Sequence, residues 1–387
     1  MIGNAEIRVS VSPGEVRVAG LRDGRLEAVA VERLGRRDGV GDLHRARVAA
    51  IAPAMSGAFL TLAGETAAFL PESELPLPRQ PIARALQEGQ SLAVRLTRAA
   101  QGGKGPRASA RLSAADSAFA VAQGNGPPLL LRRGPDAAER LAALWPDAEL
   151  LTDGPSLAAR LRPALGDRVK LVLHPAFDEE LETAFDALLQ QDVVLEGGAR
   201  LQISVTPALT AFDVDAGAEA GGRDKLAHAQ LNRRAALEVA RQIRLRNLAG
   251  AILVDFAGMT VRMREALLPD LATALLEDPL RPKLLGLTRL GLAEVQRARI
   301  HPPLHEVTGL PATPLTRGLA AIRRALREVA VAPYRVWALH AAPETIRALE
   351  GAGDALAEYR VAAGRSLVLV PDPARRPGEE EVVEMEE

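Results

Sequence analysis

The sequence predicts an α+β multidomain protein, and three observations carry that expectation. Short alternating β-like runs crowd residues 5–112, helical and strand signals alternate from there onward, and 387 residues exceed one comfortable core. Composition is that of an ordinary folded protein, with 48% hydrophobic and 25% charged residues, only 3% aromatic, and four lysines against 44 arginines. A net charge of -1 supplies no global attraction for a polyanion, so any nucleic-acid site must be a local basic patch. The chain has no cysteine, which excludes disulfides, thiolate zinc sites and cysteine nucleophiles together. The N-terminus, MIGNAEIRVS, lacks a basic region followed by an apolar core, and no apolar run nears the roughly 18 residues of a membrane span. A cytoplasmic protein without a membrane partner is expected.

Residues 5–32 hold three alternating runs, EIRVSVS, EVRVAGL and RLEAVAVERL, broken at Pro13-Gly14 and Asp23-Gly24, which predicts an antiparallel meander. After the glycine-rich LGRRDGVGD, five short β-like runs between Asp42 and Leu112 suit a small closed barrel. Residues 113–200 mix helix and strand signals. ALTAFDVD then reads as a strand, AGAEAGGRD as a loop, and KLAHAQLNRRAALEVARQIRLRN as a helix with Ala236, Val239, Ala240 and Ile243 on one face. LAGAILVDF follows as a buried strand. The unit from Ala208 to Phe256 is long enough for a crossover between parallel strands. A helix near 261–277, a strand at KLLGLT and another helix continue the domain; HPPLHEVTGLPATP reads as a linker, and residues 315–371 as helix, strand, helix, strand. The acidic GEEEVVEMEE of residues 378–387 reads as a solvated or disordered tail.

Strand alternation puts Asp213 and Asp215 on one face, about 7 Å apart, and Asp255 ends the second strand of the same unit. If the strands are neighbours, a spacing of about 4.8 Å brings the third carboxylate within reach of a shared ion at the carboxyl edge of an α/β sheet. Oxygen ligands without imidazole or thiolate suit Mg²⁺ or Mn²⁺ and phosphoryl-transfer chemistry. The competing reading makes these aspartates strand-end caps, with Asp215 opening an Asx turn before Gly217. Asp255, set inside the apolar AILVDFAG, argues the other way, because a buried unpaired charge is costly. Both readings stand.

ALTAFDVDAG, NRRAALEVARQIRLRNLAGAILVDFAGM and LTRLGLAEVQRARI resemble, in order and spacing, the catalytic core of the ribonuclease E/G family of bacterial endoribonucleases. RARVAAIAPAMSGAFLTLAGETAAFLP is similar to that family's inserted RNA-binding module. The resemblance implies a split RNase H-like domain (1–38 and 120–200), an inserted OB-fold β-barrel (39–119), a DNase I-like α/β catalytic domain (201–300), a linker (301–314), a small C-terminal α/β domain (315–372) and an acidic tail (373–387). It implies hydrolysis of single-stranded RNA by an Mg²⁺-activated water, in processing that includes ribosomal RNA. Asp213 and Asp255 match the family's metal-binding aspartates. Asp215 falls where the family commonly has a phosphate-positioning asparagine. Phe59 and Phe69 match base-stacking aromatics and Lys104 its basic loop, although sequence alone reads both rings as core. Arg241, Arg244 and Arg246 offer phosphate contacts or a solvated helix face.

Where the family carries the paired cysteines of a zinc link, this chain reads HEVTGLPATP, so no zinc is expected and a homodimer would need another interface. His301 and His305 are too few for a structural zinc site, and Pro302 and Pro303 disfavour a helix that would align them. Two rival functions remain: an RNA-binding or ribosome-associated protein that keeps the fold without turnover, and a metal-dependent phosphodiesterase acting on something other than RNA. No Arg-Thr pair matches the family's pocket for a 5′-monophosphate. Equal cleavage rates on 5′-hydroxyl and 5′-monophosphate RNAs are therefore expected, and a large monophosphate preference would contradict this.

Overall fold

The computed structural model describes residues 4–78, 80–196, 198–216, 225–256 and 258–385, with side chains in the long helix beginning at Lys225 described from Ala229 onward. The loop AGAEAGGRD lies, after Ala216, outside the described residues. The chain forms two compact units: residues 1–37, 137–297 and 304–387, and residues 38–136 with 298–303.

The first unit opens with β1 (Ala5–Ser12), β2 (Glu15–Arg22) and β3 (Arg25–Arg33), an antiparallel meander. Asp23 and Gly24 both take positive φ in the second turn, as a two-residue hairpin requires.

The second unit holds β4 (Leu43–Ala52), β5 (Gly57–Thr61), β6 (Ala67–Pro71), the short helix α1 (Ile82–Ala85), β7 (Ser91–Arg98), β8 (Arg107–Ser109), α2 (Ala114–Ala122) and β9 (Leu129–Arg132). Strands pair in the order β5-β6-β8-β7-β4, and β4 pairs back with β5, closing a five-stranded, OB-like barrel. Its interior is small aliphatic: Ala46, Val48, Leu60, Leu70, Val94 and Ala108. The unit runs on to Asp136, because β9 pairs with β4 on the outside of the ring. The segment Ala298–Pro303 also belongs to it, through the Ala99 N–H donating to the Ile300 carbonyl at 2.8 Å.

The first unit resumes with α3 (Ala137–Leu144), β10 (Glu149–Thr152), α4 (Pro155–Leu165), β11 (Val169–Leu171) and α5 (Glu179–Ala187). β10 pairs with β1 and β11 with β10, both parallel, giving the order β11-β10-β1-β2-β3. A six-stranded sheet follows from β12 (Asp192–Val194), β13 (Arg200–Val205), β14 (Leu209–Asp215), β15 (Gly250–Asp255), β16 (Lys283–Leu287) and β17 (Ala293–Arg297), ordered β12-β13-β14-β15-β17-β16. Two helices, α6 (Lys225–Leu245) and α7 (Val261–Leu275), contribute to its core. Ala236, Val239, Ala240 and Ile243 lie at or below 2% exposure, on the face their spacing predicts. Asn247, with φ of 49°, turns the chain out of α6.

The stretch expected to be a plain linker contains α8 (Leu304–Thr308), with Leu304 and Thr308 buried. The end of the chain comprises α9 (Pro314–Val331), β18 (Trp337–Ala341), α10 (Pro343–Glu350), α11 (Gly353–Ala363), β19 (Val368–Pro371) and β20 (Glu381–Glu384). The acidic tail is thus corrected in part. Glu381–Glu384 pairs antiparallel with β18, Val382 packs on the local core, and Arg317 and Arg375 pair with Glu380 and Glu381. Arginine partners neutralise the run that composition alone reads as disordered.

A buried charge network joins β2, β3, α5 and α9. The Arg17 guanidinium, 1% exposed, donates to both Glu182 oxygens at 2.6 and 2.8 Å and stacks on Phe177 and Phe185. Glu15 accepts from Arg33 and, at 2.6 Å, from Arg323; Arg33 also donates to the Thr316 hydroxyl at 2.9 Å. Burial pulls the Arg323 guanidinium down to about 10, still charged at neutral pH. Burial pushes the Glu182 carboxyl up, but Arg17, with Arg323 and Arg327 beside it, outweighs that and holds it below the ordinary carboxylate range. A depressed carboxyl contributes stability above its unfolded pKa and loses it as pH falls through its folded one. Glu182→Gln is expected to lower the unfolding free energy by about 3 kcal/mol near neutral pH, the usual cost of stranding one buried partner. The deficit against wild type should shrink in urea melts taken below the ordinary carboxylate range.

Candidate functional site

Along β14, Phe212 and Val214 turn inward to the helix-covered core, leaving Asp213 and Asp215 exposed on the opposite face. Along β15, Ile252 and Val254 do the same and Asp255 emerges. β14 and β15 are parallel neighbours with Asp213 directly opposite Asp255, so their Cα atoms stand about 4.8 Å apart with side chains on one side. Asp215, one step beyond, stands opposite Arg200 of β13 instead.

Two expectations are corrected here. Asp255 is not a buried charge: its side chain is 48% exposed, because the strand ends as it leaves the sheet. Nor do the three aspartates converge; among the described residues no group of three or more His, Cys, Asp or Glu is placed to hold one ion. What remains is a pair, Asp213 with Asp255. Two carboxylates offering oxygen alone fit a hard divalent cation such as Mg²⁺ that keeps most of its waters.

Asp255 has a partner that nothing in the sequence singles out. Arg264, in the first turns of α7, donates to Asp255 Oδ1 at 2.7 Å and to the Gly291 carbonyl at 2.9 Å. The two residues stand nine positions apart, one ending β15 and the other in α7.

Arg241, Arg244 and Arg246 have structural occupations. Arg241 donates twice to the Leu26 carbonyl, at 3.2 and 2.7 Å, and Arg244 to the Glu27 carbonyl at 3.0 Å and to the Glu27 carboxylate. Arg246 donates to Gln242 and to the Gln190 carbonyl, and burial pulls it down to about 10. Neither reading of this helix, phosphate-binding or solvated, anticipates arginines that clamp α6 to β3. His301 pairs with Asp38 at 2.6 Å, and His305 lies in α8.

On the barrel, Phe59 and Phe69 are opposed across β5 and β6, their rings edge to face at 5.4 Å. Phe59 is 38% exposed and Phe69 partly so, which places both on the outer surface and not in the core. The Phe69 ring lies over Gly57, where an added Cβ would stand 2.2 Å from its Cζ. Glycine is what lets the ring lie flat on the barrel. Phe69 borders a cavity of about 520 Å³ lined also by Met55, Ser56, Glu72, Arg98 and Arg107. Lys104 is exposed beside a turn in which Gly102 and Gly103 both take positive φ. An exposed aromatic pair beside cations is the composition of a surface for single-stranded nucleic acid.

Residues 144–300 match the sequence model of the Ribonuclease E/G family. The chain is similar to ribonuclease G of Haemophilus influenzae, 26% identical over 400 residues that span 78% of this chain and 81% of that protein. It is similar to ribonuclease G of Escherichia coli K12, 25% identical over 491 residues, 98% of this chain and all of that protein. To ribonuclease E of Escherichia coli K12 it is 36% identical over 171 residues, 41% of this chain and 16% of that protein.

Gly57→Ala is expected to cost the barrel about 1–3 kcal/mol in urea unfolding, the range for overpacking. Combining it with Phe69→Leu should recover part of that loss; no recovery would mean that the ring is not what Gly57 accommodates.

Proposed function

The chain belongs to the ribonuclease E/G family, and from that premise we propose that it is an endoribonuclease of RNA processing, hydrolysing single-stranded RNA at the Asp213–Asp255 edge. The observation that carries the catalytic part is the register of β14 and β15, which sets those two carboxylates side by side on an accessible face. Bound there, Mg²⁺, or Mn²⁺ in its place, supplies charge neutralisation at the scissile phosphate and a water of lowered pKa. Asp213 and Asp255 would hold the cation. Arg264 keeps the Asp255 carboxylate in place through Oδ1. Phe59 and Phe69 supply stacking faces that tolerate any base, and Lys104 adds charge at the hairpin tip. Arg241 and Arg244, engaged with Leu26 and Glu27, hold α6 in place. The strand order β11-β10-β1-β2-β3 supports an RNase H-like domain split by the barrel. Residues 201–300 are assigned as the DNase I-like domain and 315–372 as the small C-terminal domain; a homodimer would assemble without a zinc link.

A second reading, an RNA-binding protein without turnover, draws on Asp215. A carboxylate where the family commonly has asparagine repels a phosphate.

Labelled AU-rich single-stranded RNA, incubated with Mg²⁺ or with EDTA, separates the two. Wild type is expected to cut only with Mg²⁺, and Asp213→Asn or Asp255→Asn to lower the rate about a hundredfold or more, equivalent to about 2.7 kcal/mol. Binding without metal-dependent cuts would favour the second reading. Asp215→Asn is expected to raise the rate.

A further inference from the structure

Across four neighbouring strands of the barrel runs a single row of opposed residues. Phe59 on β5 faces Phe69 on β6, Phe69 faces Arg107 on β8, and Arg107 faces Arg98 on β7. Opposed residues on adjacent strands project to the same side. Here that side is the outer one: the alternating Leu60, Leu70 and Ala108 fill the core, and a bulge between Leu96 and Arg98 lets Leu96 point inward while Arg98 shares the cavity lining with Phe69 and Arg107. The row begins with two rings and ends with two guanidiniums.

Among the described residues the guanidinium end lacks a counter-charge. Like charges directly opposite on a ladder repel, and no carboxylate pairs with Arg98 or Arg107 among the described residues. Among the described residues the buried Arg98 Nε has no hydrogen-bond partner. Burial, with the charges of Arg107 and Arg299, pushes the Arg98 guanidinium below its ordinary value. Arg299 arrives from the segment that Ala99 tethers at Ile300. Glu72, the carboxylate in the adjoining cavity, has Oε2 committed to the Ile82 N–H at 2.7 Å. Two cations opposed this way cost the free protein stability, and an arriving anion relieves that cost. The cavity of about 520 Å³ lies between the arginines and Phe69, within the usual roughly 300–1,000 Å³ of small-ligand sites.

We propose that Arg98 and Arg107 form a phosphate clamp that holds a backbone phosphodiester of single-stranded RNA while the adjacent base stacks on Phe69. The proposal rests on reading the chain as a protein that acts on RNA. Strand spacing of about 4.8 Å puts Arg107 one strand and Arg98 two strands from the ring, within reach of a phosphate attached to a stacked nucleotide. Guanidiniums bind phosphate oxygens in bidentate fashion, which fixes the register of the strand as well as its charge.

The test titrates the full chain, in EDTA so that nothing is cut, with a fluorescent single-stranded hexauridylate at several salt concentrations. Arg98→Gln/Arg107→Gln is expected to weaken binding at least tenfold. The plot of log affinity against log salt should become shallower by about 0.7 to 1.4, which is one to two phosphate contacts at roughly 0.7 each. Phe69→Ala should weaken binding with the slope unchanged. Without RNA at low salt, the arginine variant should melt no lower than wild type, since repulsion has been removed. An unchanged slope in the arginine variant, with Phe69→Ala still weakening binding, overturns the clamp and leaves the RNA reading standing. A lower melting temperature makes the arginines structural and also overturns it. No binding by wild type overturns the RNA reading and the clamp with it.

Discussion

Arg17 is the side chain on which the first unit is organised. It sits on β2 with 1% exposure, and its charge is tolerable there only because Glu182 takes both terminal nitrogens and two phenyl rings cover its face. That requirement fixes where α5 lies. Glu15, two residues before it on the same strand, does the equivalent for α9 through Arg323. Two acidic residues, one on β2 and one on α5, thus settle how α5 and α9 dock on the meander. A purely apolar contact of the same area would hold these elements with less demand on their rotation.

Functional surfaces arise in both units from strand alternation. Phe212 and Val214 have to enter the core beneath α6, so Asp213 and Asp215 have to leave it. Leu60 and Leu70 fill the barrel, so Phe59 and Phe69 stand outside it. Core and site are written in the same five to seven residues of each strand. The cost falls on the outer positions: an exposed aromatic pair contributes little to folding, and Arg98 facing Arg107 opposes it. Such positions make sense when a ligand supplies what the fold withholds.

The α6 arginines run the other way. Their spacing and charge suit a phosphate-binding face, yet Arg241 and Arg244 are consumed by backbone carbonyls of β3. Helical periodicity specifies which residues share a face. It does not specify whether that face meets solvent, ligand or another strand.

The sequence by itself determined the meander, the five-stranded barrel, the strand, helix, strand unit, and the candidacy of Asp213 and Asp255, because periodicity and turn residues are local properties; Phe59 and Phe69 became candidates through the family resemblance, since the residues alone read them as core. Tertiary structure alone decided that Asp213 stands opposite Asp255 while Asp215 stands opposite Arg200, that Arg264 holds Asp255, and that Arg107 falls between Phe69 and Arg98. It also drew Glu381–Glu384 of the acidic tail into a sheet. The reason is register. Which residue faces which depends on pairings between segments far apart in the chain, as with Arg33 and Thr316, 283 positions from each other, and a slip of one residue would exchange every core position with a site position.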